Sequence, residues 1–133
     1  MVKASYSSSW QGSVQPRKQH KYLFTAPLHR RQKLLHVHLA PELRKKFQLR
    51  QVQVRSGDKV KILRGEFKKK EGKVEKVLLK QSRVLVHGAE FLKKDGSKTL
   101  FPLHPSNLII MELDLTDKVR RQKMESKIKS ASP

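Results

Sequence analysis

Histidine is the residue type in this sequence best suited to acid–base or metal chemistry, and the chain has six histidines. His36 and His38 stand two positions apart, which raises the question of a metal site. No cysteine and no nearby carboxylate completes a ligand set, and side chains two positions apart diverge if the segment is helical. The sequence therefore predicts no metal ligands and no cofactor.

Catalytic motifs are also missing from the sequence. His20, His29, His87 and His104 lie among basic residues, and none of them has a recognisable nucleophile beside it. Residues 7–9 are a serine tract, and no nucleophile elbow or glycine-rich phosphate loop is present. The 11 acidic residues are interspersed with bases, so we identify no carboxylate pair. We expect no catalytic residues; a small basic ribonuclease, the enzymatic alternative, would need a pairing of histidine and acid.

Cationic side chains dominate the chemistry instead. The chain has 31 Lys and Arg against 11 Asp and Glu, a net charge of +20 and a pI near 10.6, so it would repel itself without a polyanionic partner. Nucleic acid, an acidic membrane face and an acidic protein are the candidates. The longest apolar run, residues 108–111, is far too short for a membrane span, and no apolar segment near the N-terminus suggests a secretory signal. We therefore expect a nucleic-acid partner and residence in the compartment where the chain is made.

The excess charge is concentrated before the middle of the chain. Residues 1–56 carry 12 Lys and Arg against the single acid Glu42, residues 57–112 carry 13 against 7, and residues 113–133 carry 6 against 3. Tyr6, Trp10, Tyr22 and Phe24 interleave with this basic segment and could stack on unpaired bases. For Tyr22 and Phe24, packing within the protein is an equal alternative.

Composition and periodicity divide the chain into four segments. We predict a flexible Ser-rich tail over residues 1–15, a basic arm with short helices over 16–50, a small antiparallel barrel over 51–112, and a charged C-terminal helix and tail over 113–133. The arm and the C-terminal helix flank the barrel, which would serve as the platform for both.

Local signals place the elements within these segments. A proline and apolar residues at helical spacing predict a helix over about residues 27–36, and Pro41 opens a second helix. From Gln51 to Ile110 the period falls to two, and turns separate five short strands. Because this segment is too short to supply two sheets, a small antiparallel barrel is favoured over a sandwich. Thr116 or Asp117 would cap the last helix.

The segment GDKVKILRGEFKKKEGKVEKV, residues 57–77, reads as strand, glycine-bounded lysine loop, strand. It resembles the KOW motif of ribosomal proteins and transcription elongation factors, which implies an SH3-like barrel. Lys69 departs from the motif, because relatives often have a second glycine there. The matching positions are Val60, Ile62, Gly65, Gly72, Val74 and Val77.

Motifs on both sides of the barrel narrow the resemblance. Over residues 16–122 the chain resembles the archaeal and eukaryotic family of large-subunit ribosomal proteins, numbered twenty-four in bacteria and twenty-six in eukaryotes. The shared elements are Arg17-Lys18, Ala26-Pro27, His29, Glu42-Leu43-Arg44 and His104-Pro105-Ser106.

The resemblance implies a structural protein that binds the 5′ domain of the large-subunit rRNA near the mouth of the polypeptide exit tunnel and acts early in subunit assembly. It also implies contacts with neighbouring large-subunit proteins and a place in the cytoplasmic ribosome. We expect neither a membrane span nor a homo-oligomer. The alternative is a KOW-type transcription elongation factor or another RNA-binding factor, although an elongation factor usually adds a polymerase-binding domain.

Cationic and histidine side chains of the arm, the lysine loop and the barrel are the candidate rRNA contacts. They would neutralise phosphates and release counterions, and arginine could also bridge phosphates or stack on bases. For any one of them, a solvated surface charge is an equal alternative. The candidates are Arg17, Lys18, His20, Lys21, His29, Arg30, Arg31, Lys33, Arg44, Lys45, Lys46, Arg64, Lys68, Lys69, Lys70, Lys73, Arg83 and His104.

Overall fold

The computed structural model describes residues 6–10 and 12–131, which form four helices and seven strands. The helices are α1 (Pro16–Thr25), α2 (Leu28–Leu34), α3 (Pro41–Phe47) and α4 (Lys118–Ala131). The strands are β1 (His36–Leu39), β2 (Gln51–Gln53), β3 (Lys59–Ile62), β4 (Glu71–Leu78), β5 (Arg83–Leu92), β6 (Lys98–Leu103) and β7 (Leu108–Glu112). A single 3-10 turn in this described part, Pro105–Asn107, leads into β7.

All seven strands belong to one bent sheet in the order β2-β1-β7-β3-β4-β5-β6. Neighbours are antiparallel except β1 and β7, which run parallel with His38 opposite Ile109. The β3–β7, β4–β5 and β5–β6 pairs each contain a register shift, and such irregularities bend a sheet. Over residues 6–10 and 12–131, β2 and β6 remain at opposite edges, so the sheet curves without closing.

The predicted fold class, a mainly β, small SH3-like KOW barrel with a basic helical arm and a charged C-terminal helix, is confirmed, although the sheet contains one parallel pair and does not close over the described residues. Residues 51–112 form six strands where we predicted five, and β1 adds a seventh at the end of the predicted helix. That helix stops at Leu34, so its predicted extension to residue 36 is wrong. From Leu35 to Leu39 buried and half-buried residues alternate, and β-branched Val37 suits a strand that pairs on both sides.

The hairpin of residues 57–77 has the expected alternation. Val60 and Ile62 are buried in the core, while Lys59 and Lys61 point outward and pair with Glu112 at 3.0 Å and with Glu71 at 3.1 Å. The core continues through alternate residues of the neighbouring strands. Its other fully buried members are Leu35, Val37, Leu39, Val84, Val86, Ala89, Leu108 and Ile110.

Two positions of the lysine loop show why the motif has glycines there. A Cβ on Gly72 would lie 2.2 Å from the carbonyl oxygen of His87, so β4 and β5 approach too closely for any side chain. Lys69, which stands where relatives often have glycine, has a φ of 71°. The loop keeps the left-handed turn with a lysine, and the Lys69 N–H still donates to the Ile62 carbonyl at 2.8 Å.

A buried ion pair holds α4 against the sheet. The Arg120 guanidinium donates to both carboxylate oxygens of Asp58, at 2.6 and 2.8 Å, and also to the carbonyls of Asp114 and Gln53. The Asp58 carboxylate also accepts the N–H groups of Arg55 and Asp114. Arg120 is 5% and Asp58 0% exposed, so both charges are out of water and fully paired.

The rest of α4 follows the sequence prediction in part. Asp117 caps the helix by accepting the Val119 N–H at 3.0 Å, as predicted. Met124 is buried and Ile128 half-buried against the core, although the helix looks polar on almost every face in the sequence. Within the described residues, no helix is long and apolar enough to span a membrane.

Candidate nucleic-acid interface

Arg31 fixes the basic arm to the sheet. Its guanidinium donates to the carbonyl of Ala26 at 3.0 Å, to that of Lys80 at 2.8 Å, and to that of Phe24. Ala26 lies between α1 and α2, while Lys80 lies in the turn between β4 and β5. A residue that we predicted as a phosphate contact therefore uses its donors inside the protein, and it sets the angle at which α1 leaves the sheet.

The docked arm and the β4–β5 turn enclose an open groove of about 750 Å³, the arm groove. Three separate parts of the chain line it: the α1–α2 arm, residues 80–83, and the residue that precedes the 3-10 turn. Five of the candidate contacts meet here. They are His20, Lys21, Arg31, Arg83 and His104. The described lining contains no carboxylate.

The arm groove also exposes apolar side chains. Phe24 is 82% exposed, and Leu23 and Leu34 on the same lining are each nearly half exposed. A solvent-facing aromatic ring beside cations is the arrangement on which an unpaired base stacks while its phosphates are neutralised. Of the two alternatives for Phe24, the exposed position agrees with the stacking interpretation. Lys80 also lines the groove but is not among the predicted contacts, because its position in a turn is the only signal that the sequence offers for it.

The histidine of the His-Pro-Ser element is held in place by the turn that follows it. The Nδ1 atom of His104 accepts the Ser106 N–H at 3.3 Å and lies 2.7 Å from the Ser106 hydroxyl. Pro105 is buried, and the Asn107 carbonyl accepts the Leu63 N–H at 2.8 Å. Because Nδ1 is an acceptor, Nε2 carries the proton of the neutral imidazole and is available as a donor.

Tyr22, by contrast, packs within the protein. The Trp10 ring stacks on it with centroids 4.3 Å apart, and the Tyr6 hydroxyl lies 2.9 Å from its own. That hydrogen bond raises the pKa of Tyr6. We predicted a flexible tail over residues 1–15, of which residues 1–5 and 11 lie outside the described part of the chain. Within residues 6–10, Tyr6 and Trp10 contact Tyr22 of α1 through their rings.

The remaining candidates do not line the arm groove. Arg44, Lys45 and Lys46 are exposed on α3, where the Arg44 Nε donates to the Leu39 carbonyl at 2.6 Å and Lys46 lies over the Phe47 ring. The lysine loop is a separate exposed surface, on which Lys70 lies over the Phe67 ring. The other candidates outside the groove are Arg17, Lys18, His29, Arg30, Lys33, Arg64, Lys68, Lys69 and Lys73.

A metal site is not supported by the described residues, which contain no group of three or more potential ligands. His36 and His38 lie on strand β1, so their side chains share one face of the strand and do not diverge as they would on a helix. The His36 Nδ1 lies 2.5 Å from the Lys33 carbonyl, which places this ring in a local hydrogen bond.

The curved sheet with its KOW-like hairpin defines the class as a KOW-type β fold. A docked basic arm and a cationic groove with an exposed aromatic ring accompany that fold. Comparison with known proteins narrows this class. Residues 13–127 match the family model that describes the ribosomal proteins L26 of eukaryotes and L24 of archaea. The chain is also 52% identical over 116 residues to the large ribosomal subunit protein uL24 of Methanosphaera stadtmanae, covering 87% of this chain and 99% of that relative.

The chain therefore belongs to the archaeal and eukaryotic uL24 family of ribosomal proteins. Members are structural constituents of the large ribosomal subunit and not enzymes, so the expectations of family, of a ribosomal role and of no catalysis are confirmed. Family membership also decides against the transcription-factor alternative.

Proposed function

We propose that this chain binds large-subunit rRNA through the arm groove and the basic surfaces beside it. The resemblance described above supports the 5′ domain of that rRNA, near the mouth of the polypeptide exit tunnel, as the location. It also supports a role in early subunit assembly in the cytoplasm and contacts with neighbouring ribosomal proteins. The protein acts there as a single copy that holds rRNA by charge and shape.

One observation carries the proposal for the arm groove. Cations from three separate segments converge around the exposed Phe24 ring, and the Arg31 guanidinium fixes their relative positions. Lys21 is exposed, and no hydrogen bond or ion pair within the described residues occupies its ammonium group. An rRNA segment in this groove would meet free charge along its backbone and a ring for one unpaired base.

A salt titration of rRNA binding tests the proposal. The full chain is bound to a 5′-domain transcript in a filter assay at several salt concentrations, alongside the variants Lys21→Gln, Phe24→Ala and Lys94→Gln. Removing one phosphate contact at Lys21 should lower the slope of log affinity against log salt by about 1. Phe24→Ala should weaken binding by about 1–3 kcal/mol without changing the slope, because stacking releases no counterion.

Lys94→Gln is the matched control, since Lys94 is exposed in the β5–β6 turn away from the groove. It should leave both slope and affinity nearly unchanged. Equal losses of slope in Lys21→Gln and Lys94→Gln would show that binding depends on net charge alone and would overturn the role of the groove.

A further inference from the structure

A second concave site lies on another side of the molecule, between α2 and α4, with β2 at its base. We call it the α2–α4 cleft. Its volume is about 400 Å³, within the range of about 300–1,000 Å³ typical of small-ligand sites. It is smaller than the arm groove and more enclosed, because two helices and a strand form its walls. Its dimensions suit one nucleotide better than a stretch of backbone.

The walls of the cleft offer amide groups for recognition. Gln32 comes from α2, and Gln51 and Gln53 are alternate residues of the edge strand β2, so they lie on the same face of the strand. A glutamine amide presents one acceptor and two donors, the combination that reads the edge of a nucleobase. The described residues show no hydrogen bond from any of these three side chains, so their amides are free to bind a ligand.

The cleft also has the other two properties that a nucleotide requires. His29 and His36 supply flat imidazole rings, and Val119 supplies an apolar surface that is 67% exposed. Lys33 and Lys123 line the opening, and their ammonium groups have no partner within the described part of the chain. No carboxylate is among the lining residues that the structure describes, and the two carboxylates behind the lining, those of Asp58 and Asp117, are each paired with an arginine.

The rigid framework of the cleft argues for a built site. The Arg120 guanidinium lines it but is fully engaged with Asp58 and two carbonyls, so it holds α4 in place and leaves binding to its neighbours. Arg55 is held at the rim by its ion pair with Asp117, which caps α4. The α4 wall is therefore fixed against the sheet by contacts that need no ligand.

We propose that the α2–α4 cleft binds a single unstacked nucleotide, with the glutamine amides on the base edge and Lys33 and Lys123 on its phosphate. This inference rests on the proposed rRNA function, since the nucleotide would come from a bulge or loop of the bound RNA. Charge and shape along the arm groove would supply most of the affinity, and the cleft would select for an extruded base at a fixed distance from it.

The first test uses free mononucleotides and the full chain. In ¹⁵N-edited NMR spectra, millimolar additions of the four 5′-mononucleotides should shift the backbone and side-chain amides of Gln51 and Gln53 and the Val119 amide, with saturation for at least one base. Inorganic phosphate at matched ionic strength should leave the glutamine side-chain amides unshifted. Equal shifts with phosphate and with every nucleotide would overturn the proposal, because the cleft would then be a simple anion site.

The second test fills the cleft. Val119→Trp places a bulky ring inside it, and Gln122→Trp, on the same helix but outside the cleft, is the matched control. Val119→Trp should weaken binding to the 5′-domain transcript about tenfold, a loss of about 1.4 kcal/mol, and abolish the nucleotide shifts. Gln122→Trp should do neither.

The outcomes separate the two proposals. If the unmodified chain fails to bind the transcript, the proposed rRNA function fails. If it binds and Val119→Trp binds equally well, the cleft proposal alone is overturned. Circular dichroism of both tryptophan variants establishes that α4 remains folded. A salt slope lowered by about 1 in Val119→Trp would agree with the loss of the phosphate held by Lys33 and Lys123, while the larger remaining slope would show that the arm groove is still occupied.

Discussion

Gly72 is the position at which the KOW hairpin depends most directly on a missing side chain. In Gly72→Ala the new Cβ would lie 2.2 Å from the His87 carbonyl oxygen and 3.0 Å from a methyl group of Val86. A carbon and a carbonyl oxygen normally approach to about 3.3 Å, so β4 and β5 would have to separate locally by about 1 Å. Gly72 is also paired with Val60 of β3, so β4 cannot move freely to the other side.

The expected cost follows from this geometry. Forced overpacking costs about 1–3 kcal/mol, and we expect about 3 kcal/mol because backbone atoms on both sides resist the shift. For a chain of this size the melting temperature should fall by about 10 °C. Urea denaturation followed by far-UV circular dichroism measures the change in the free energy of unfolding.

Gly65→Ala is the matched control for that measurement. Gly65 lies in the loop that precedes β4, has a φ of 92°, and has open space where a Cβ would be. Its replacement should cost about 1–2 kcal/mol from backbone strain alone. The free energy of unfolding of Gly72→Ala could instead lie within about 0.5 kcal/mol of that of the unmodified chain, or fall by less than in Gly65→Ala. Either result would show that the close approach of β4 and β5 does not require glycine at position 72.

Three further perturbations test other parts of the structure. Arg120→Met leaves Asp58 buried without its counter-charge and should cost about 3–5 kcal/mol in urea denaturation; a loss below about 1 kcal/mol would contradict the buried pair. Lys69→Gly should raise the free energy of unfolding by up to about 1 kcal/mol, because glycine removes the left-handed strain at the expense of some backbone entropy; destabilisation would show that the lysine side chain contributes more than its strain costs. The hydrogen bond from Arg55 is the main cause that lowers the pKa of Asp117, so Arg55→Ala should return that pKa toward its ordinary value of 3.8 in a carboxyl NMR titration. A carboxyl whose pKa is lowered in the folded state stabilises the fold above its unfolded pKa, and this stabilisation is lost as the pH falls through the folded pKa. As the pH falls below about 4, Arg55→Ala should therefore lose less stability than the unmodified chain. Identical acid titrations of the two proteins would refute the link.

The hairpin of residues 57–77 could be predicted because its determinants are local. Alternating apolar residues specify which side of β3 and β4 is buried, and glycines mark the loop between them. The helix from Pro41 and the cap at Asp117 are local in the same sense, since proline and a capping carboxylate act within one turn.

Strand β1 could not be predicted because its pairing is not local. Its parallel partner is β7, with His38 opposite Ile109, and that pairing stabilises residues 36–39 as a strand, of which only residue 36 fell within the predicted helix. The ion pair between Asp58 and Arg120 joins residues 62 positions apart, and nothing near either residue marks it. In the sequence Asp58 looks like a turn residue, and Arg120 looks like one of many surface cations.

The same difference between local and long-range contacts limits what composition can predict about the interface. The charge excess of the arm correctly predicts a basic surface, but charge counts do not distinguish cations that face solvent from cations that hold the fold. Arg31 joins the arm to a turn 49 residues away, and its position could be found only from the folded chain. For Phe24 the sequence left two alternatives open, packing within the protein and stacking on a base, and the exposure of its ring in the folded chain favours stacking.

Arginine and lysine divide these tasks in a way that their physical chemistry explains. Arg31, Arg44 and Arg120 each direct guanidinium donors at backbone carbonyls, because a planar fork with fixed donors can bridge several acceptors at once. Lys21 and Lys33 make no such contacts within the described residues, and a compact ammonium on a flexible stem loses little by staying in water until a phosphate arrives. These three arginines therefore help to build the surface, while Lys21 and Lys33 supply charge on it that has no partner within the described residues. The positive charge of an engaged arginine still adds to the surrounding potential. Under the proposed rRNA function, the net charge of +20 would therefore set how strongly RNA is attracted, while lysines without a partner, such as Lys21 and Lys33, would set where it is held.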